Sequence, residues 1–562
     1  MKNHPMGIRA AALLLAAALL TGCAAPAVPA APAETAETAA QPADAETEKT
    51  LASLRALGAA PDDDYRNWYE IFVYSFCDSN GDGVGDLKGV ESKLDELQTL
   101  GITGIWLMPV SPSPSYHKYD VTDYCAIDPQ YGTLDDFDSL LAACHRRGIR
   151  VITDLVVNHT SSAHPWFTAA ASYLKTLPAG AQPDPAACPT VAYYHFVPAA
   201  EAKSGYAKLA GTDWAYECPF SDAMPDLNWD SDAVHAEIEK VMAFWLARGV
   251  DGFRLDAAKE YYSGSEEKNR AVLSWLEATA KAHAPNAYLV AEVWDTFGAI
   301  TRYYQSGITS IFDYPFGNAD GKIIKTLRGA GRESVVQTYA QSLEKAEAAY
   351  RQANPSFIDA PFLSNHDTGR IYGFVGGDEA KLKLAGAMNL MMSGSVFVYY
   401  GEELGMPGSG NDPSKRAPML WAAAGTPDTP APPPGCTVQQ APFGGLAEQR
   451  GQDGSIYNYY RQLLALRKAL PAIARGRTTA ETPLNRGTVS AVRKTTDAQQ
   501  CLILFNIGTD AAAVDLSAYA GWRLAAGLSA DQNAVTLAGN TLTLPGCGMA
   551  VLLAETAGEA AS

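Results

Sequence analysis

Three acidic residues close short apolar segments and are the first candidates for chemistry. Asp256 ends the stretch GFRLD, Glu292 opens EVW, and Asp367 ends NHD. A single aspartate at a strand end is usually a helix cap and carries little weight alone. Three acids that converge on one mouth repel one another unless their charge is used. We therefore treat these three residues as candidate reactive carboxyl groups.

A histidine and an arginine accompany the acids. His159 ends the stretch DLVVNH, which closes a further strand-like segment. A histidine in such a place is more often a hydrogen-bonded structural residue than a catalyst. Arg254 lies two residues before Asp256, so both side chains point to the same face of a strand. We expect the Arg254 guanidinium to keep Asp256 ionised.

A polar loop, DSNGDGVGD at 78–86, places oxygen-bearing side chains at alternate positions. An EF-hand loop would have a bidentate Glu at its twelfth position, which here is Gly89. No strong helical pattern precedes the loop, so an EF-hand is not predicted. Alternating hard oxygens still suit a calcium ion, and the alternative is a polar turn without metal.

Strand-like runs alternate with helix-like runs from about residue 62, and these elements must position the candidate groups. The strand-like runs are WYEIFVYSF, GIWLMPV, RVITDLVV, GFRLDAA, AYLVAEVW, SIFDYPFG, IDAPFLSN and SVFVYYGEEL. Their continuous apolarity is typical of buried parallel strands. Between them lie amphipathic stretches such as 230–249, where apolar residues follow helical spacing. About eight such units predict an α/β fold, a (β/α)8 TIM barrel, with the candidate residues at its carboxyl-terminal face.

Breaks in this rhythm predict the domain boundaries. After DLVVNH about seventy residues pass with little regular pattern, which predicts an inserted subdomain over 158–228 on the catalytic face. The Pro-rich stretch at 422–436 predicts an exposed loop. The helices stop near residue 478, and the strand-like runs TVSAVRK, CLILFNI and GMAVLLAE follow. We predict a barrel over 61–157 and 229–478, and a C-terminal antiparallel β-sandwich domain over 479–558.

The first residues have the pattern of an export signal. Lys2 and Arg9 precede an apolar run at 10–20 that is too short to span a bilayer. The following LTGC resembles a bacterial lipobox, in which Cys23 becomes the lipidated first residue; the alternative is an ordinary cleavage site with an incidental cysteine. We predict a lipoprotein signal peptide at 1–22 and a flexible Ala/Pro/Thr/Glu-rich tether at 23–60. The expected location is outside the cytoplasm, lipid-anchored to the bacterial cell membrane.

Composition excludes some classes of partner and some metal sites. The chain has 43 Lys and Arg against 62 Asp and Glu, with a formal charge of −19, and it lacks a basic stripe. Nucleic acid is therefore excluded as a partner, whereas a neutral substrate is compatible. The cysteines form no C-x-x-C pair, which argues against zinc. Cys188 with Cys218 is the only disulfide we would consider, and buried free thiols are the alternative.

The stretches DLVVNH, GFRLDAAKE, EVW and NHD, in this order, resemble the four signature regions of the α-amylase family, glycoside hydrolase family 13. The resemblance extends over roughly residues 62–560. It implies Asp256 as nucleophile, Glu292 as general acid/base, and Asp367 as the carboxylate that holds sugar hydroxyls in the distorted transition state. The neighbouring carboxyls are expected to keep Glu292 protonated. The implied reaction is a double displacement with retention, for which the acid and the nucleophile lie roughly 5 Å apart.

The resemblance also implies a set of substrate-binding residues. Tyr119, in YHKYD, matches the tyrosine that stacks on the sugar at the cleavage site. The other matches to family positions are His117 beside it, His159 and His366 on the same sugar, Arg254, Lys259 on the leaving side, and Asp412 with Arg416 in NDPSKR. Glu260 stands where some amylases carry His, which leaves the leaving-side preference open. Asp154 and Asn158 either brace the site or touch sugar.

The loop at 78–86 resembles the metal loop of the branch that contains oligo-1,6-glucosidases. The resemblance implies a structural Ca²⁺ held by the side chains of four residues and one carbonyl. They are Asp78, Asn80, Asp82 and Asp86, with the carbonyl of Val84.

The stretch MPDLN at 224–228 resembles a marker of an intermediate group between oligo-1,6-glucosidases and neopullulanases that includes exported α-amylases. The expected protein is a monomeric lipoprotein α-amylase that hydrolyses α-1,4 bonds of starch or maltodextrin. An α-glucosidase, oligo-1,6-glucosidase or 4-α-glucanotransferase would use the same residues, and a non-catalytic glycan-binding lipoprotein is the remote alternative. Five aromatic residues of the insertion are candidates for stacking on glucose, with the subdomain core as the alternative for half of them: Trp166, Tyr193, Tyr194, Trp214 and Tyr216.

Overall fold

The computed structural model describes residues 45–178, 180–438 and 440–554. The predicted signal peptide, Cys23 and the first part of the predicted tether lie outside the described residues. None of the described helices is both long enough and apolar enough to cross a bilayer.

Strands and helices alternate from residue 45 to residue 475, and strands follow. The strands are β1 (Asn67–Ile71), β2 (Gly104–Leu107), β3 (Arg150–Leu155), β4 (Phe196–Pro198), β5 (Tyr206–Lys208), β6 (Trp214–Glu217), β7 (Gly252–Leu255), β8 (Tyr288–Ala291), β9 (Ser310–Ile311), β10 (Val396–Tyr399), β11 (Arg477–Ala480), β12 (Val489–Thr495), β13 (Gln500–Asn506), β14 (Ala512–Asp515), β15 (Trp522–Ser529), β16 (Thr536–Ala538), β17 (Thr541–Leu544) and β18 (Gly548–Ala554). The helices are α1 (Ala45–Arg55), α2 (Leu87–Ser92), α3 (Leu94–Leu100), α4 (Leu134–Arg146), α5 (Pro165–Thr176), α6 (Asp232–Ala247), α7 (Glu266–His283), α8 (Phe297–Tyr303), α9 (Lys322–Arg328), α10 (Glu333–Ala353), α11 (Ile371–Phe374), α12 (Glu379–Leu390), α13 (Asp412–Lys415), α14 (Leu446–Arg450), α15 (Ile456–Ala469) and α16 (Pro471–Arg475).

The central element is a parallel sheet in the order β10-β1-β2-β3-β7-β8-β9. The segment IDAPFLSN closes it, because Phe312 pairs in parallel with Ala360 and Phe362 pairs in parallel with Phe397 of β10. This closure confirms the (β/α)8 TIM barrel. The predicted seventh strand is present only as these two bridges. Pro361 lies between the bridged residues and has no N–H to donate to a neighbouring strand.

The amino-terminal end of the barrel is filled by aromatic rings. The Trp68 ring of β1 stacks on Tyr288 of β8 at 5.1 Å and on Phe397 of β10 at 5.8 Å. A Cβ at Gly104 of β2 would lie 2.3 Å from the Trp68 ring, so only glycine fits there. This end of the barrel is therefore packed solid, and polar residues are left to the opposite end.

The predicted insertion between β3 and α6 is a subdomain with its own sheet, in the order β4-β6-β5. It also contains the helix α5, which the sequence analysis did not predict. His164 caps α5 by accepting the N–H of Trp166, and Pro165 occupies the first turn. A bridge between His159 and Asp226 brings the two ends of the insertion together.

The C-terminal domain is a β-sandwich of two antiparallel sheets, as predicted. Their orders are β11-β12-β13-β18-β15 and β14-β17-β16. Leucines from both sheets fill the space between them, including Leu504 of β13, Leu544 of β17 and Leu552 of β18. The domain begins with β11 at Arg477, two residues before the predicted boundary.

The predicted flexible tether is wrong for its last part, because residues 45–55 form the helix α1. Its buried residues Thr47, Leu51 and Leu54 recur at helical spacing and face α15. Thr47 donates a hydrogen bond from its hydroxyl to Asp453 at 2.8 Å, and Glu48 pairs with Arg461 of α15 at 2.7 Å. The segment contains few apolar residues, but two leucines on one face are enough to stabilise the helix when a partner helix covers them.

The cysteines from Cys77 to Cys547 are free thiols, eight among the described residues. The considered disulfide between Cys188 and Cys218 is therefore not formed. Cys188 Sγ instead lies 3.3 Å from the hydroxyl of Thr190.

Candidate active site

The candidate residues converge on one cleft of about 630 Å³ at the carboxyl ends of the barrel strands. Strand β7 supplies Asp256, β8 supplies Glu292, and the bridge segment before β10 supplies Asp367. The cleft is lined by His117, Tyr119, His159, Phe220, Ser221, Met224, Asp256, Ala257, Lys259, Glu260, Glu292, Trp294, Asp367, Asp412 and Arg416. All the predicted catalytic and substrate-binding residues line it, except Arg254 and His366, which lie directly behind the lining.

Arg254 is the fixed centre of the site, and its side chain is fully buried. It pairs with Asp256 at 2.5 Å and with Glu292 at 2.9 Å, so one guanidinium joins the predicted nucleophile to the predicted acid. On its other side it pairs with Asp154 at 2.5 Å. Asp154 also accepts the indole N–H of Trp106 at 2.8 Å, which shows that it braces the site from below.

Arg254 lowers the pKa of Asp256, as expected, but its effect does not outweigh that of burial. Burial raises the pKa of Asp256 to about 7, although Arg254 lowers it and Glu292 raises it further. The physical reason is that a single positive charge is divided among three buried carboxyl groups. The carboxyl groups around Arg254 therefore titrate together, and a proton bound among them is not assigned to one residue.

Glu292 is held by donors on both oxygens of its carboxyl group. Its Oε2 accepts the N–H of Ala257 at 3.0 Å and faces Arg254. Its Oε1 accepts the hydroxyl of Tyr314 at 3.2 Å. The carboxyl group has a fixed direction into the cleft.

His366 is buried between two carboxylates. Its Nδ1 lies 2.6 Å from Glu70 of β1, and its Nε2 lies 3.1 Å from Asp367. Burial opposes the charge, but Asp367 and Glu70 raise the pKa of His366 to about 9. Burial likewise opposes ionisation of Asp367, yet His366 and Arg416 hold the pKa of its carboxyl far below the usual range. Asp367 is therefore an anion in the cleft at neutral pH, with Arg416 donating to it at 3.0 Å.

Tyr119 and its neighbours form one wall. The Tyr119 ring stacks on His366 at 5.3 Å with an interplanar angle of 14°. His159 donates from Nε2 to the carbonyl of Tyr119 at 3.2 Å, and burial lowers the pKa of His159 to about 4, so the imidazole is neutral. His117 accepts the N–H of Tyr119 at Nδ1, at 3.2 Å.

The remaining predicted residues lie at the rim. Lys259 Nζ lies 3.6 Å from Asp295 and 3.9 Å from Glu260, so the residue that replaces histidine pairs with the predicted leaving-side lysine. Asp412 is exposed and pairs with Lys415 at 2.9 Å.

Phe220 and Trp294 are cleft residues that the sequence analysis did not identify. Among the described residues they are the exposed large apolar side chains, at 53% and 43%. The Phe220 ring packs on His159 at 5.6 Å, and the Trp294 ring stacks on Tyr314 at 5.0 Å. Trp294 stands in the quoted EVW, two residues after Glu292, and that spacing was an available signal. The residues around Phe220 contain no pattern that would place it in the cleft.

The aromatic residues proposed for the insertion are not exposed platforms. Tyr193, Tyr194, Trp214 and Tyr216 are buried, and Trp166 packs against Tyr193 at 5.3 Å. These four buried rings belong to the small core of the subdomain, so for them the prediction of stacking on glucose is wrong, while Trp166 is half-buried.

The loop at 78–86 lies away from the cleft, and its side chains accept backbone N–H groups. Asp78 accepts from Gly81 and Gly83, both at 2.7 Å, and Asp82 accepts from Val84 at 2.8 Å. Asp86 caps α2 by accepting the N–H of Gly89 at 2.7 Å. In the part of the chain that the structure describes, no group of three His, Cys, Asp or Glu residues is already arranged as a metal site.

Comparisons with known proteins place the chain among α-amylases. The family model for the α-amylase catalytic domain matches residues 70–476. The α-amylase 3 of Dictyoglomus thermophilum is 39% identical over 425 residues, covering 74% of this chain and 79% of the relative. The solved structure described as Eubacterium rectale Amy13B is 43% identical with a TM-score of 0.87, covering 92% of this chain and 99% of that one. The α-amylase from H. orenii is 31% identical with a TM-score of 0.76, covering 88% of this chain and 100% of that one.

Proposed function

The chain belongs to the α-amylase family of glycoside hydrolases, and we propose that its cleft cleaves α-1,4-glucosidic bonds of starch and maltodextrins with retention, outside the cytoplasm. One observation carries the proposal: Asp256 and Glu292 stand on neighbouring strand ends and share the guanidinium of Arg254. That arrangement suits a nucleophile and an acid that act in turn on one glycosidic bond. The relatives named α-amylase support the same activity.

In the first step of the proposed reaction, the Glu292 carboxylic acid gives its proton to the glycosidic oxygen, and the Asp256 carboxylate forms a bond to the anomeric carbon. The leaving sugar departs as an alcohol. In the second step, water attacks the anomeric carbon, the Glu292 carboxylate takes its proton, and the bond to Asp256 breaks. Arg254 contacts both carboxyl groups throughout, so it offsets negative charge on whichever one is ionised.

Asp367 and the imidazolium of His366 contribute a charged pair beside the reacting sugar. The sugar becomes positively charged at its ring in the transition state, and the Asp367 anion stabilises that charge and accepts hydrogen bonds from sugar hydroxyls. Tyr119 supplies an aromatic face for the same sugar. Phe220 and Trp294 supply exposed rings on which further glucose units stack.

The product profile tests this function against its closest alternatives. Timed digestion of maltoheptaose, amylose and pullulan is expected to give a range of maltooligosaccharides from the first two. Glucose as the sole early product would indicate an α-glucosidase, and products longer than the substrate would indicate a glucanotransferase. Cleavage of pullulan would show that the cleft also accepts a substrate that contains α-1,6 linkages.

Substitution of the two reacting carboxyls separates an enzyme from a non-catalytic glycan-binding protein. Asp256→Asn and Glu292→Gln are each expected to lower turnover by several orders of magnitude while the folded protein still binds maltodextrin. A variant that keeps more than about a tenth of wild-type turnover would contradict the assignment of roles.

The location of the enzyme is a further part of the proposal. A polymer too large to import must be cut outside, and the LTGC motif with Cys23 supports a lipid-anchored enzyme at the cell surface. Two acyl chains are enough for stable anchoring. We propose a monomer, which light scattering of the detergent-solubilised protein would test.

A structural calcium ion at 78–86 completes the proposal. The donors are hard oxygens of the kind calcium favours. They come from the side chains of Asp78, Asn80, Asp82 and Asp86 and the carbonyl of Val84. Oδ1 of Asp78 and Oδ1 of Asp86 each accept two hydrogen bonds, but Oδ2 of both residues accepts only one. These Oδ2 atoms and the Asp82 carboxylate therefore retain lone pairs for the ion. Bound calcium would offset the repulsion among three carboxylates, and no cleft residue lies in the loop, so its effect is on stability.

A further inference from the structure

Ala257, the residue after the predicted nucleophile, has an unusual backbone conformation. Its φ is +45°, in the left-handed region that a residue with a Cβ seldom adopts. Strain of this kind persists only where the surrounding structure imposes it, and it is concentrated at functional sites. The conformation of Ala257 is therefore a candidate functional feature of the site.

The left-handed turn directs two successive N–H groups at the same neighbour. The N–H of Ala257 donates to Oε2 of Glu292 at 3.0 Å, and the N–H of Ala258 donates to the main-chain carbonyl of Glu292 at 3.0 Å. In an extended strand, successive N–H groups point to opposite sides. The turn thus joins the end of β7 to the end of β8 through both the side chain and the backbone of Glu292.

The surrounding contacts hold this turn in place. The carbonyl of Ala257 accepts the N–H of Glu260 at 2.9 Å, and the buried Asn269 donates to the carbonyl of Lys259. On the other strand, the N–H of Glu292 donates to the carbonyl of Leu255 at 2.9 Å. The cost of the left-handed residue is offset by this network.

The contacts also distinguish the two oxygens of Glu292. Oε2 faces two donors, the Ala257 N–H and the Arg254 guanidinium at 2.9 Å, which leaves no lone pair in the plane for a proton. Oε1 accepts only the Tyr314 hydroxyl. When Glu292 carries a proton, that proton therefore belongs on Oε1. The charged and titratable groups that face this carboxyl are Arg254, Asp256, Tyr261 and Tyr314.

We propose that Ala257 is a positioning residue, whose strained backbone aims its N–H at Glu292 Oε2 so that the proton is carried on Oε1 and directed at the glycosidic oxygen. The proposal rests on the acid/base role of Glu292 given above. It assigns the left-handed turn a function in the reaction, beyond its place in the fold.

Replacing the amide by an ester tests the hydrogen bond without changing a side chain. Lactic acid incorporated at position 257 by nonsense suppression keeps the methyl group and removes the N–H. We expect kcat on maltoheptaose to fall roughly tenfold to a hundredfold, the worth of a hydrogen bond to a charged group, with KM within about twofold. The alkaline limb of the pH–kcat profile is expected to move to higher pH, because one donor to the carboxylate is lost.

The same ester at position 258 is the matched control. It removes the neighbouring N–H, which donates to the Glu292 main chain, so it lowers the melting temperature without moving the alkaline limb. Ala257→Gly keeps the N–H and removes the Cβ, and the alkaline limb of its pH–kcat profile is expected to stay at the wild-type pH.

Two outcomes would overturn the proposal. The first is an ester at position 257 that leaves kcat within about twofold and does not move the alkaline limb of the pH–kcat profile. The second is an equal shift of that limb by the esters at positions 257 and 258. Failure of the underlying function is distinguishable, since it would appear as an active Glu292→Gln variant.

Discussion

Replacing His366 by glutamine is expected to make the loss of stability strongly dependent on pH. His366 is buried and lies between Glu70 and Asp367, which raise its pKa to about 9 against the effect of burial. In the unfolded chain a histidine titrates near pH 6.5. The folded protein therefore binds this proton more tightly than the unfolded chain does.

The size of the effect follows from the difference between the two pKa values. A rise of about two and a half pH units corresponds to about 3 kcal/mol of unfolding free energy. Because the folded pKa is raised, this contribution is fully present below pH 6.5 and is lost as the pH rises through 9. The difference in unfolding free energy between the wild type and His366→Gln should thus be about 3 kcal/mol larger at pH 6 than at pH 10.

Urea unfolding followed by tryptophan fluorescence at several pH values between 6 and 10, at fixed calcium, measures this difference. Glu70→Gln removes one of the two carboxylates and should show an intermediate pH dependence. His283→Gln, on the surface at the end of α7, is the control for the change of residue type. A difference between wild type and His366→Gln that does not vary with pH would refute the buried imidazolium.

Four further outcomes are expected. Chelation with EDTA should lower the melting temperature, since calcium at a hundred times its dissociation constant adds about 2.7 kcal/mol, and Asp82→Ala should abolish this metal dependence; an unchanged melting curve with no bound metal would leave a polar turn. Leu54→Ala in α1 should destabilise the protein by about 2–5 kcal/mol in urea unfolding, whereas Ser53→Ala beside it on the exposed face should have little effect; equal effects would contradict the packing of α1. Phe220→Ala should raise KM for amylose roughly fivefold with little change in kcat, and an unchanged KM would exclude stacking on this ring. Cys23→Ser should release the enzyme from the membrane or leave its precursor unprocessed, and mass spectrometry of an unmodified mature chain that starts elsewhere would refute the lipid anchor.

The barrel and its reacting residues were predictable because both depend on local patterns. Continuous apolar runs of four to eight residues bounded by helical stretches are what a buried parallel strand requires. In a barrel, the residue that closes each run must face the same end of the structure. The sequence therefore predicts one cleft for Asp256, Glu292 and Asp367, and the cleft contains all three.

The protonation of the cleft was not predictable in the same way. The spacing of Arg254 and Asp256 indicated an ion pair, and the pair is present. Spacing could not show that Asp154 and Glu292 share the same guanidinium, nor that Glu70 of the distant β1 reaches His366. A pKa is the sum of all charges and of burial around a group, so residues far apart in sequence decide it.

The sequence alone determined the architecture, the family and the three carboxyls, since each is expressed in the order and period of neighbouring residues. The tertiary structure decided which aromatic rings face the cleft, because Phe220 is exposed while Tyr194 and Trp214 of the same subdomain are buried in its core. It also decided that residues 45–55 form a helix, since Leu51 and Leu54 are covered by α15, more than four hundred residues later in the chain. Exposure and burial depend on which surfaces meet in the folded chain, and that information is not contained in any single stretch of residues.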